Sequence, residues 1–272
     1  MVLSIALPIA IQNGITNFVN LLDNLMVGRI GTEEMSGVSI SNQLVFVFNL
    51  CIFGTVSGAG IFGAQFFGKK DDEGVKTTTR FKIVAGFVIT VIASAIFLLF
   101  GEKLISLFLT GDSNGGDLDK TLFFAMKYLR IMILGLPGFM LTQAYSSTLR
   151  EGGEAVLPMK AGIAAIFTNL ILNWVLIFGN LGAPRLGCGG AAIATVISRY
   201  VELGLVAGAT LKNREKYKYL KGLWKSFKIE RKMLQRILKA AAPLIMNEAL
   251  WSLGMTALMQ CYSTRGLNAV AG

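Results

Sequence analysis

The chain has 272 residues, of which 53% are hydrophobic and only 15% are charged, and its mean hydropathy is +0.60. A soluble domain is about one quarter charged, so this composition excludes most water-soluble classes and favours several membrane spans. The absence of histidine excludes His-dependent hydrolases, zincins and haem proteins. The isolated cysteines Cys51, Cys188 and Cys261 predict neither a metal pair nor a disulfide framework.

Seven apolar stretches have the length of a membrane helix, which is about 20 residues. We therefore predict an all-α polytopic membrane protein. Its predicted spans are 3–28, 37–67, 83–109, 121–148, 157–180, 187–211 and 238–262. The first stretch has no basic segment before it and is too long for a signal peptide, so we interpret it as a true span.

Basic residues concentrate in alternate loops. Seventeen Lys and Arg follow the second, fourth and sixth spans, whereas the other loops offer only Arg29, Lys120 and Arg185. Because cytoplasmic loops are enriched in Lys and Arg, this pattern predicts a cytoplasmic amino terminus. It also accounts for the net charge of +10, so we expect no nucleic-acid partner.

A weak internal repeat relates the first and seventh spans. Six spans separate the two copies, so both enter the membrane in the same direction, as in transporters with two parallel halves. We predict a six-span lobe at 1–211, a basic cytoplasmic linker at 212–237 and the first span of a second lobe at 238–272, from a parent of about twelve helices whose second lobe is missing. The matching pairs, each 235 residues apart, are Pro8 and Pro243, Gly31 and Gly266, and Gly37 and Gly272.

Glycines in the second span spell GxGxxG at Gly58, Gly60 and Gly63. No strand precedes them, so we interpret them as sites of close helix packing rather than of nucleotide binding. We interpret two GxxxG pairs as packing sites within the chain: Gly54 with Gly58, and Gly204 with Gly208.

Ionisable residues inside predicted spans are functional candidates, because a charge in hydrocarbon is costly. Asp23 lies in span one and Glu248 near the middle of span seven. Arg199 and Glu202 lie three residues apart in span six and are positioned to neutralise each other. The alternatives are that Asp23 reaches the outer interface and that Glu248 is the structural partner of a buried cation.

A polar set is predicted in the outer half of the membrane. Asn169 and Asn173 share one face of span five, and Thr195 lies at a similar depth in span six, as Asp23 does in span one. Carboxylate, amide and hydroxyl oxygens suit a hard cation such as sodium, at Asp23, Asn173 and Thr195, or a protonatable acid. The alternative is polar contact between helices, each hydrogen bond contributing about 1 kcal/mol or less.

These residues lie in motifs that resemble the multidrug and toxic compound extrusion (MATE) transporters, and most of all their NorM-type bacterial branch. The resemblance covers essentially the whole chain. It implies twelve helices in two six-helix lobes, with a central cavity that opens alternately to each side, in the plasma membrane of a prokaryote. The motifs are Leu7-Pro8, LDNLMVGR at 22–29, NLILNW at 169–174, GAP at 182–184 with Leu186-Gly187, and GAAIAT at 190–195.

The resemblance also implies a function. It implies a secondary antiporter that exports amphipathic, often cationic drugs in exchange for sodium or protons, with no cofactor, and whose partners are small molecules and membrane lipids. Asp23 matches the acid that couples cation binding to drug release, and Asn169, Asn173 and Thr195 match polar residues around it. Glu248 matches a carboxylate of a second cation site.

Three other functions stay open at this stage. A lipid-linked precursor flippase of related fold would need a strongly basic central cavity. An intramembrane enzyme would need catalytic residues, and no paired catalytic carboxylates or Ser–Lys arrangement stand out, so we expect no enzyme. A scaffold would not need an acid at the depth of Asp23. The candidates for a basic cavity are Lys127, Arg130, Lys160 and Arg199.

Overall fold

A computed structural model describes residues 25–109, 117–220, 222–223 and 231–263, together with positions 7, 10–12, 14, 15, 18 and 22. Most of the predicted first span, with Pro8 and Asp23, lies outside the described residues, as do Gly266 and Gly272 of the predicted repeat. Two short 3-10 helices, Asn180–Gly182 and Lys218–Leu220, accompany the α-helices. The described α-helices are α1 (Thr32–Gly68), α2 (Asp72–Ser106), α3 (Leu118–Ile133), α4 (Leu136–Glu151), α5 (Val156–Phe178), α6 (Cys188–Lys212) and α7 (Arg231–Ser263).

Four of these helices, α1, α2, α5 and α6, are long and apolar enough to cross a membrane, which confirms the second, third, fifth and sixth predicted spans. The predicted fourth span is instead broken into α3 and α4, which meet at 47°. Gly135 stands at the break, and Pro137 in the first turn of α4 lacks the N–H that would continue the helix. Helix α7 includes the seventh span, but Asn247 and Glu248 make it less apolar, and it is not among those four.

Helices α2 and α7 extend well before the start of the corresponding predicted spans. Helix α2 begins at Asp72, because the Asp71 carboxylate caps its first turn, so most of the predicted basic loop after span two is helical. Helix α7 already includes Arg231, inside the predicted linker, and Ile237 is buried on one face of its charged first turns. In both cases an amphipathic extension prolongs a span beyond its apolar run.

Helices α1, α4 and α6 finish, and α2, α5 and α7 begin, at what we call the basic end of the bundle. There the linker residues after α6 pack onto the bundle. The ring of Tyr219 meets the ring of Phe67 edge-on at 4.7 Å, and the Lys216 Nζ lies 2.5 Å from the Glu154 Oε2. The Arg80 side chain donates hydrogen bonds to two carbonyls at 222–223. The first part of the predicted linker is therefore packed structure.

Helix α1 is the central helix and contacts α2, α3, α4 and α7. Its side chains Ile40, Phe48 and Ile52 are fully or almost fully buried. Gly37 lets the backbone of α3 approach closely, because a Cβ there would lie 2.9 Å from the Ala125 nitrogen. An apolar helix that is covered on several sides in this way forms the core of the bundle.

Helix α7 packs antiparallel along α1. Only one of the two predicted glycine pairs packs against another helix in the described part of the chain. Gly58 contacts Ala241 of α7, as predicted, whereas a Cβ on Gly204 or Gly208 would have no described atom of another element within 4 Å. The expectation that Gly204 and Gly208 pack within the chain is therefore wrong for this part of the protein, because that face of α6 points away from the other helices. The α1–α7 contacts are Gly58 with Ala241, Phe46 with Trp251, and Gln43 with Thr256.

The ion pair at the basic end predicts a pH-dependent contribution to stability. The Lys216 ammonium, donating to the Glu154 carboxylate, is the largest cause that lowers the pKa of Glu154 from its ordinary 4.5. A lowered folded-state pKa stabilises the fold above pH 4.5, and this stabilisation is lost as the pH falls through the folded-state value. We expect Glu154→Gln to lower the Tm slightly at pH 7 and to have a smaller effect at about pH 3.5. An equal difference from the wild type at both pH values would contradict this role.

Candidate functional site

The α5–α6 hairpin positions the predicted polar residues, and its turn is built by backbone contacts. Gly179 ends α5 in the left-handed region, with φ of 76°. The Leu186 N–H donates to the Leu176 carbonyl at 3.0 Å. A Cβ on Gly190 would lie only 2.6 Å from the same carbonyl oxygen, so glycine there allows the two backbones to approach. These contacts fix the register of α6 against α5.

This register brings Asn169, Asn173 and Thr195 together. The Asn173 Nδ2 donates to the Asn169 Oδ1 at 3.1 Å, and the Asn169 Nδ2 donates to the Thr195 Oγ1 at 3.2 Å. The Thr195 hydroxyl donates in turn to the Ala191 carbonyl at 3.0 Å. Asn169 is 7% exposed and Asn173 only 1%. The predicted shared face of the two asparagines is present, and the three side chains form one hydrogen-bonded chain.

A small cleft lies beside Thr195, with a volume of about 20 Å³. Asn49 of α1, Phe139 of α4 and Arg199 of α6 are among the residues that line it. A space of this size holds about one water molecule. In this conformation the cleft accommodates a water or a small ion but not a drug-sized molecule.

The predicted pair in span six is present, with the Arg199 Nη1 4.0 Å from the Glu202 Oε2. The Arg199 guanidinium also lies over the Phe139 ring, 4.9 Å from its centroid. The Glu202 carboxylate also interacts electrostatically with the Arg150 guanidinium of α4. The Arg150 Nη2 donates a hydrogen bond to the Gln12 Oε1 at 3.0 Å. Polar contacts therefore continue from Thr195 along α6 towards the basic end.

Of the two predicted carboxylates, the structure describes only Glu248. Asp23 lies outside the described residues, so its role stays a prediction. Glu248 is half-buried on α7, which packs on α1 rather than on the α5–α6 hairpin. The antiparallel register of the α1–α7 contacts places Glu248 opposite the part of α1 near Asn49. Among the described residues, Glu248 is therefore not part of the polar chain of α5 and α6.

Asn49 and Phe139 are among the cleft residues that the sequence analysis did not identify as candidates. Asn49 offered a signal, since it is an amide inside an uncharged run of the second span. Phe139 offered none, because aromatic residues are common in apolar spans and its role depends on Arg199, 60 residues away. A polar residue in a central apolar helix is therefore the more useful pointer.

The four basic candidates for a flippase cavity do not converge. Lys127 and Arg130 line a cavity of about 530 Å³ with Glu102 and Asp119, at the end of the bundle opposite the basic end. Lys160 is exposed on α5, whereas Arg199 lines the small cleft. The larger cavity therefore holds both signs of charge rather than a strongly basic lining.

Known proteins resemble this chain over nearly its full length. Residues 8–175 match the sequence profile of the MatE family. The chain is 27% identical over 274 residues to a probable multidrug resistance protein NorM of Thermotoga maritima, an alignment that covers 99% of this chain and 56% of that protein.

The fold also matches solved structures of a multidrug resistance MATE family transporter of the MOP superfamily. The match to an inward-facing conformation has a TM-score of 0.79 at 23% identity and covers 93% of this chain and 55% of that one. The match to an outward-facing conformation has a TM-score of 0.81 at 22% identity and covers 98% and 57%. The chain spans a little over half the length of the proteins it matches.

Gly190→Ala tests the hairpin register. We expect it to destabilise the protein by about 1–3 kcal/mol, because the new methyl group would clash with a backbone carbonyl, which cannot rotate away as a flexible side chain can. The measurement is thermal unfolding of the purified protein in detergent. Gly204→Ala, on the same helix but in open space, is the matched control and should leave the Tm unchanged or slightly raised. Equal effects of the two substitutions would show that the close approach does not set the register.

Proposed function

The chain belongs to the MatE family, and from this premise we propose that it forms one lobe of a secondary antiporter that exports amphipathic, often cationic small molecules in exchange for sodium ions or protons. The relative from Thermotoga maritima is named a probable multidrug resistance protein, which supports drug export. Members of this family are transporters, so the chain is not an enzyme, and they need no cofactor. The proposed partners are the small-molecule substrates, the surrounding lipids and a second lobe in the same parent chain.

The observation that favours this function is the hydrogen-bonded chain of Asn173, Asn169 and Thr195 beside a cleft of one-water size. Buried amides and a hydroxyl are costly in an apolar bundle unless they are paired, so their concentration at one point favours an ion-handling role. We propose that Asp23 joins this cluster when the coupling ion binds. A sodium ion would replace its hydration shell with these oxygens, whereas a proton would neutralise the carboxylate.

Coupling requires the ion to have different affinities in the two transport conformations, since an ion that binds both equally shifts nothing. The bundle matches an inward-facing and an outward-facing structure with nearly equal scores. This supports a transport cycle in which the lobe moves largely as one rigid body and ion binding changes the position of this lobe relative to the second lobe. Glu248, on α7, would then belong to a second cation site at the boundary between the lobes.

We propose a location in the plasma membrane of a prokaryote, with the basic end and the amino terminus in the cytoplasm. The clustering of Lys and Arg at one end of the bundle supports this orientation. The flippase alternative gains no support, because the four basic candidates do not line one cavity and the cavity with Lys127 and Arg130 also contains Glu102 and Asp119. Substrate-dependent efflux that is sensitive to an uncoupler or to sodium removal separates the transporter from a scaffold.

Efflux of a fluorescent amphipathic cation from cells without other exporters tests the proposal. We expect Asp23→Asn in the full-length parent protein to abolish efflux while expression in the membrane stays intact. Thr195→Val, which keeps the shape but removes the hydroxyl, should lower efflux about fivefold, equivalent to one hydrogen bond of about 1 kcal/mol. Thr195→Ser keeps the hydroxyl and is the matched control. Normal efflux by Asp23→Asn would overturn the antiporter proposal.

A further inference from the structure

An ion pair with a fully buried lysine lies near the basic end, outside the polar chain of α5 and α6. Lys82 of α2 has no exposed surface, and its Nζ lies 2.5 Å from the Oε1 of Glu151, the last residue of α4. The Lys82 ammonium also donates to the hydroxyls of Ser147 and Thr148 at 3.1 and 3.2 Å. Because a buried cation is costly without partners, this arrangement requires α2 and α4 to stay together. The sequence placed Lys82 in a basic loop, which is wrong because Lys82 lies fully buried in α2. Its partner Glu151 is 69 residues away along the chain.

The Glu151 carboxylate is seated in a glycine cradle on α1, formed by Gly60 and Gly63. A Cβ on Gly60 would lie 2.8 Å from the Glu151 Oε1, and a Cβ on Gly63 would overlap the Oε2. The Oε2 is buried and makes no hydrogen bond in the described part of the chain. Two glycines of the GxGxxG motif are thus explained by close approach of a carboxylate, which any larger residue would push away.

The third glycine of the motif faces the other way. At about 100° per residue, Gly60 and Gly63 point on average about 170° away from Gly58. Gly58 contacts Ala241 of α7. Helix α1 is therefore held between the Glu151 carboxylate on one face and α7 on the other. No α1 side chain separates them here, only a backbone cylinder of about 2.3 Å radius.

We propose that the Lys82–Glu151 pair and the glycine cradle form a clamp that sets the position of α7 on the first lobe. The pair fixes the position of α1 against α2 and α4, so that the face of α1 on which α7 packs cannot move. Lys82 and Glu151 are positioning residues that act through α1. This proposal rests on and deepens the proposed function, in which α7, with Glu248, would connect to the second lobe. Movement of α7 would then be transmitted to the first lobe at Gly58.

Stability alone does not explain such a pair. Replacing a buried ion pair by apolar residues of similar volume is often neutral or stabilising. A clamp makes a different prediction: disturbing the cradle changes the position of α7, which packs on the opposite face of α1. The test therefore needs a measurement on α7 in addition to the Tm.

The experiment uses the purified protein in detergent, with Cys51, Cys188 and Cys261 replaced by alanine. A new cysteine pair, Gln43→Cys with Thr256→Cys, joins α1 and α7 far from the cradle, where the two native side chains are hydrogen-bonded at 3.2 Å. The rate of disulfide formation between them reports the position of α7, and thermal unfolding reports stability. Neither measurement depends on transport, so a failure of the clamp and a failure of the antiporter proposal are distinguishable.

We expect Gly63→Ala to lower the Tm by about 5 °C and to slow disulfide formation, because the new methyl group displaces the Glu151 carboxylate. Glu151→Asp combined with Gly63→Ala should restore both readings towards the wild type, since the shorter acid leaves room for the methyl group. Gly208→Ala, in open space, is the matched control and should change neither reading.

A second parent variant, which lacks the ion pair, distinguishes the clamp from simple misfolding. In Lys82→Met with Glu151→Ala, which removes both charges, we expect slower disulfide formation and no further effect of Gly63→Ala. Three results would overturn the clamp. They are an unchanged disulfide rate in Gly63→Ala, an equal effect of Gly63→Ala in both backgrounds, and no recovery with Glu151→Asp.

Discussion

The register of the α5–α6 hairpin is the constraint on which the candidate site depends. Asn169, Asn173 and Thr195 lie in an apolar bundle, and the register allows each amide or hydroxyl to meet the next. The close approach of α6 at Gly190 to the Leu176 carbonyl fixes that register. A shift by one residue would rotate Thr195 by about 100° and leave buried amides without these partners. The backbone of the turn is therefore as important to the site as its polar side chains.

The central helix α1 joins this site to the rest of the lobe. One part of it lines the cleft at Asn49, and another lies between the Glu151 carboxylate and α7. Glycines make this possible, because they let polar groups and neighbouring helices approach the backbone itself. A single helix therefore contacts the candidate ion site, the buried Lys82–Glu151 pair and the helix that contains Glu248. In the antiporter that we propose, this arrangement would provide a short physical route between the two lobes.

The sequence predicts the parts of this structure that depend on local pattern. The apolar runs located the second, third, fifth and sixth spans, and the four-residue spacing placed Asn169 and Asn173 on one face. Contacts between distant segments were not predictable: small residues show that a helix can approach but not which one, so Gly58 has a helix partner whereas Gly204 has none among the described residues. The burial of Lys82 was missed for the same reason, because a lysine beside a basic loop has no local sign of its partner.

The most direct test of the central claim, that the polar chain beside Thr195 acts on a coupling ion, is transport by the full-length parent protein in proteoliposomes with an imposed sodium or proton gradient. The account predicts that one of the two gradients drives accumulation of a fluorescent amphipathic cation in the absence of any other energy source. It also predicts that Asn173→Leu removes this accumulation without lowering the amount of folded protein in the vesicles. Accumulation by Asn173→Leu at the wild-type rate, or wild-type protein that responds to neither gradient, would contradict the account.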